Sequence, residues 1–97
     1  MKTVQDKYDW IKQKLSAGDQ VWFYADEAEV LWDYSSNSGK GRICLIIEEA
    51  DYDQINGRLY FGTEDFGVDF TQTKLKSTAD VDSSWNVPVN EEIYCYE

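Results

Sequence analysis

The chain has no histidine, one proline and two cysteines in 97 residues, and only nine lysines and arginines against nineteen aspartates and glutamates. Without imidazole, the usual general base, proton shuttle and nitrogen ligand are missing, and histidine-based triads and most zinc sites go with them. The serines sit in polar stretches without a partner base, and neither Cys44 nor Cys95 has an adjacent cation to lower its pKa. Paired carboxylates cleave glycosides only in a cleft that fixes their separation and raises one pKa. The chain is therefore expected not to be an enzyme and to need no cofactor. No apolar run approaches the ~20 residues that span a membrane, and the N-terminal MKTVQDKYDW lacks the apolar stretch of a secretory segment. The expectation is a cytoplasmic protein with no membrane partner, whose two thiols are buried and free rather than bridged.

What the chain has in excess is negative charge, a net −10. Lys2, Lys7, Lys12 and Lys14 crowd the first fifteen residues, no base occurs from Leu15 to Gly39, and after Arg42 only Arg58, Lys74 and Lys76 oppose the acids. A surface of this kind repels nucleic acid and anionic membrane and is steered towards a basic protein surface, including one that ordinarily binds nucleic acid.

Residues 1–97 form a single domain with one core. Val4, Tyr8, Ile11 and Leu15 recur at helical spacing, so Thr3–Leu15 reads as a helix, with Thr3 as N-cap and Gly18 beyond its end. Gln20–Ala25 has strand propensity. Ala28–Tyr34 reads in two ways: Asp26 can cap a short helix, or Val30, Trp32 and Tyr34 alternate as a strand paired with Gln20–Ala25. Ser35–Gly41 is a loop whose lone GKG lacks the spacing and following helix of a P-loop. Ile43–Ile47, apolar throughout, suits a strand buried on both faces at the centre of the sheet. Val68–Thr71 is a short strand, Thr71–Asn90 a long polar loop with one extended piece at Trp85–Val89, and Glu91–Tyr96 a final strand. Trp22, Phe23, Trp32, Tyr52, Phe61, Phe66 and Phe70 are candidates for the core. The fold class that follows is α+β, an antiparallel sheet of four to six strands with the N-terminal helix packed on one face.

Between the central run and Glu64 the chain carries its clearest local signal. Asn56-Gly57 tolerates the positive φ angles of a two-residue hairpin turn, so Ile55 is expected opposite Arg58, Asp53 opposite Tyr60, Tyr52 opposite Phe61 and Glu49 opposite Glu64. Alternation then places Ala50, Tyr52, Leu59 and Phe61 on a packing face, and Glu49, Asp51, Asp53, Tyr60 and Glu64 on the other, with Asp65 in the following turn. Like charges across a strand pair destabilise it, so this arrangement points to binding rather than to folding. Asp26, Glu27, Glu29 and Asp33 form a second acidic candidate. The string Asp51-x-Asp53-x-x-Asn56-Gly57 is not an EF-hand loop, since Ile55 stands at its fifth position, Asn56 at its sixth and Gly62 at its twelfth.

Alternate residues of a strand lie about 6.6–6.8 Å apart, and neighbouring phosphates of one DNA strand about 7 Å apart. In size, acidity, single α+β domain and lack of catalytic groups, the chain resembles the small phage-encoded inhibitors (anti-CRISPR, antirestriction and glycosylase-inhibitor proteins), several of which mimic DNA. The resemblance covers overall character, not aligned residues. It implies an anti-CRISPR protein that occupies the DNA-binding surface of a CRISPR effector complex in a host cytoplasm. Two alternatives belong to other classes: an immunity protein covering a basic nuclease toxin, and an interaction module that inhibits nothing.

Overall fold

A computed structural model describes residues 3–34, 44–78 and 94–96. Helix α1 (Val4–Ser16) starts where the sequence predicts. Thr3 Oγ1 accepts from the Asp6 N–H at 3.0 Å and the Asp6 carboxylate accepts from the Thr3 N–H at 3.2 Å, a reciprocal pair that satisfies two otherwise orphan donors. It stops at Gly18, whose φ of +85° a side chain would resist, while the Asp19 N–H returns to Lys14 O at 3.0 Å.

Among the described residues eight strands follow: β1 (Gln20–Tyr24), β2 (Glu29–Asp33), β3 (Cys44–Ile47), β4 (Tyr52–Ile55), β5 (Arg58–Gly62), β6 (Phe66–Asp69), β7 (Leu75–Thr78) and β8 (Tyr94–Tyr96). The fold is α+β, with a helix packed against antiparallel sheet, and the strands divide between two four-stranded sheets ordered β3-β1-β7-β8 and β2-β6-β5-β4. Val21, Phe23, Leu45, Ile47 and Leu75 of the first sheet meet Leu59, Phe61, Phe66 and Val68 of the second in one core, with Ile11 of α1 and Phe70. Phe23 sits at the junction, stacked on Phe70 with ring centroids 5.0 Å apart and edge-on to Phe61 at 5.8 Å. The helix bridges both sheets: Tyr8 packs on Tyr52 of β4 and Trp10 on Tyr96 of β8. Lys7, buried, donates from Nζ to the carbonyls of Phe70, Thr71 and Thr73, the turn by which the chain leaves the second sheet for the first.

Several expectations need correction. The Cys44–Ile47 part of the apolar run is a strand, with Cys44, Leu45 and Ile47 buried, but it lies at one end of the first sheet and β1 is central. An apolar run reports that both faces are covered; it says nothing about lateral neighbours, which backbone pairing decides. The segment after β1 is both a turn of 3-10 helix, Ala25–Glu27, and a strand, and β2 pairs with β6 rather than with β1. Buried Ala25 holds that turn in the core, and the chain crosses there from one sheet to the other. The polar stretch after Thr71 contains β7, whose Leu75 and Ser77 face inward in a segment too short and too polar to show a period. Trp22 is fully buried but lies outside the shared core, on the opposite side of the first sheet from Val21 and Phe23, under the Lys76 ammonium at 5.1 Å. The Ser35–Gly41 loop and the Trp85–Val89 piece lie outside the described residues, as does the Glu91–Ile93 part of the final strand.

The expectation of a buried free thiol holds for Cys44, while the side chain of Cys95 lies outside the described residues. Cys44 is free, and β3 and β8 stand at opposite ends of the first sheet, three strand spacings or about 14 Å apart, twice the Cα separation a disulfide tolerates.

Candidate partner-binding face

The hairpin forms as the sequence predicts. Asn56 and Gly57 adopt φ of +53° and +76° at its tip, and Tyr52 pairs with Phe61, Asp53 with Tyr60 and Ile55 with Arg58. Its outer end departs from expectation. Residues 48–51 form a turn closed by the Asp51 N–H to Glu48 O at 3.0 Å, and the ladder ends where the Gly62 N–H donates to Asp51 O at 2.8 Å. Glu49 and Glu64 therefore do not oppose each other across strands. The backbone turns before those two carboxylates can be stacked, which removes a repulsion that paired strands would have enforced.

The pairing of β5 with β6 and of β6 with β2 extends the hairpin's outer surface across the whole second sheet. One row runs Glu29–Asp69–Tyr60–Asp53 and the next runs Trp32–Gly67–Gly62, ending beside Asp51. Four of the sequence-derived candidates, Asp51, Asp53, Tyr60 and Glu29, thus share one face. The others are dispersed, all of them exposed: Glu49 in the 48–51 turn near Tyr52, Glu64 and Asp65 in the β5–β6 turn, Asp33 at the far end of β2, and Asp26 and Glu27 in the 3-10 turn.

Three residues of this face were missed. Arg58 belongs to it and is held chiefly by Asp69, to whose Oδ2 its Nε donates at 2.5 Å, with exposed Glu29 a weaker electrostatic neighbour. Burial pushes the Asp69 carboxyl up, yet the bonds from Arg58 and from the Thr71 hydroxyl and N–H outweigh it and leave the group below its ordinary range. The base is engaged first by a buried acid rather than by the exposed ones.

The third is Trp32, expected in the core. A β-bulge between Val30 and Trp32 shifts the register of β2 by one residue, and a one-residue shift moves a side chain to the other side of a sheet. Val30 stays opposite Val68 of the core, whereas Trp32 falls opposite Gly67 and lies outside. Its indole rests flat across two glycines: a Cβ on Gly67 would overlap the ring, and one on Gly62 would come within 3.1 Å of it. Nε1–H donates to Thr63 O at 3.2 Å, and the residue remains 38% exposed. The two strand glycines flanking the Glu64-Asp65 turn were the available sign, since glycine inside a strand often marks a close approach.

Among the described residues no three aspartates, glutamates or cysteines gather as metal ligands, and no helix is long and apolar enough to cross a membrane. No protein-family model, curated protein or solved structure matches the chain.

Proposed function

We propose that the protein is an acidic inhibitor that occupies the nucleic-acid-binding surface of a host defence complex, in the manner of a DNA-mimic anti-CRISPR protein. The observation that carries the reading is the open outer face of the second sheet, where Asp51, Asp53 and Glu29 lie beside a base already engaged by Asp69. Asp51 and Asp53 are an alternate pair at the end of the hairpin ladder, for which strand geometry gives about 6.6–6.8 Å, close to the phosphate step of DNA. Carboxylates so placed do not stabilise the sheet, and their field steers a lysine- and arginine-rich surface towards this one.

The test is competition with target DNA for purified CRISPR effector complexes and, in parallel, for basic nuclease domains. Asp51→Ala with Asp53→Ala is expected to weaken binding at least tenfold, or ~1.4 kcal/mol, while thermal unfolding stays unchanged or rises. Binding by the unaltered protein weakens as salt shortens the screening length from about 10 Å at 0.1 M to about 3 Å at 1 M. Equal loss from Asp26→Ala with Glu27→Ala reduces the effect to bulk charge. Competition at a nuclease alone favours the immunity-protein reading, and salt-independent binding overturns charge mimicry.

A further inference from the structure

We infer that the outer face of the second sheet is a docking surface for arginine, with the Trp32 indole as the platform on which a partner's guanidinium stacks. The inference rests on the reading of this face as one that meets a basic protein, and it names the contact. Most aromatic rings of this size are buried for their area; here a bulge, two glycines and a hydrogen bond to Thr63 combine to hold one flat and open. A ring fixed in this way loses little rotamer freedom when a ligand covers it. Asp51 and Asp53 border the platform on the hairpin side and Glu29 on the β2 side.

Charge complementarity selects the occupant. An aromatic face with carboxylates at its rim attracts a cation over the ring and hydrogen-bonds its edge. Guanidinium meets both demands at once because it is planar, weakly hydrated and rich in in-plane donors, whereas an ammonium is compact and strongly hydrated. A nucleobase could stack on the same ring, but its phosphates would face the same carboxylates. A second copy would bring the same acidic face and a chain charge of −10 against this one.

The probes are three peptides of equal length with two arginines, two lysines or two citrullines, titrated into the full chain and followed by amide and indole N–H resonances. Saturable shifts are expected at the Trp32 indole N–H and at the Gly62 and Gly67 amides, with arginine binding about tenfold tighter than citrulline and several-fold tighter than lysine. Trp32→Leu, read at the Asp53 and Gly67 amides, should lose that preference. Gly67→Ala, which keeps the indole but lifts it from its floor, should weaken arginine binding about as much, with thermal melts confirming that both variants fold. Equal affinity for lysine and arginine, an unmoved Trp32 indole, or a self-association that Trp32→Leu abolishes each overturns the platform. If Asp51→Asn with Asp53→Asn loses an effector complex while Trp32→Leu keeps it at full affinity, the platform fails and mimicry stands. If the arginine peptide binds as described but no nucleic-acid-binding protein is displaced, the converse holds.

Discussion

Replacing Lys7 by methionine keeps the length and most of the apolar volume of a buried side chain and removes its charge. In the structure the ammonium reaches three carbonyls, and the Phe70 oxygen, at 3.4 Å, also accepts the Thr73 N–H at 3.1 Å. The oxygens of Thr71, at 2.8 Å, and Thr73 also accept from the ammonium, and both residues are buried. Taking this donor away from two buried carbonyls costs about 1–3 kcal/mol each, and the desolvation cost relieved by removing the ammonium returns part of that. A net loss of roughly 2–4 kcal/mol follows, which in a domain of this size lowers the melting temperature by roughly 10–30 °C. Denaturant unfolding of the two proteins should show the midpoint shift with an unchanged slope. A loss below about 0.5 kcal/mol, the level of an ordinary surface substitution, would refute the view that Lys7 fastens the helix to the turn joining the sheets.

The Asp69 carboxyl, held below its ordinary value, contributes stability that is complete above pH 3.8 and is lost as pH falls through its lowered pKa. Asp69→Asn should therefore cost roughly 1–3 kcal/mol at pH 7 and flatten the fall in stability under acid; parallel stability–pH curves for the two proteins would contradict this. Burial pushes the Cys44 thiol up to about 11, with Lys76 pulling slightly the other way. In a Cys95→Ser background it should resist a thiol reagent at pH 8 until urea unfolds the chain, and its stability contribution, full below pH 9.0, should fade as pH climbs towards 11. Rapid labelling of the folded chain would show that β3 opens locally or is less covered than its burial implies.

The candidate face was legible in part. Asn56-Gly57 fixed the hairpin register from within a few residues, so the turn dipeptide alone places Asp53 opposite Tyr60. Glu29 reached the same face only through β6, a strand whose pairing with β2 no local pattern announces. The engagement of Arg58 by Asp69 likewise depends on the neighbouring strand.

The sequence alone determined what is local or summed over the chain. The net charge of −10 follows from composition, the Thr3–Asp6 capping pair and Gly18 bounded the helix, and the turn dipeptide set the hairpin, because each rests on residue chemistry or on neighbours a few positions away. Tertiary structure decided the division into two sheets, the edge position of Cys44–Ile47 and the burial of Leu75 and Ser77. It also decided the place of Trp32. Strict alternation puts that ring on the same side as Val30, towards Val68 of the core, and one extra residue in β2 turns it outward onto glycines thirty and more positions away. Period-2 reasoning assumes an unbroken ladder, and whether a ladder breaks is settled by the partner strand.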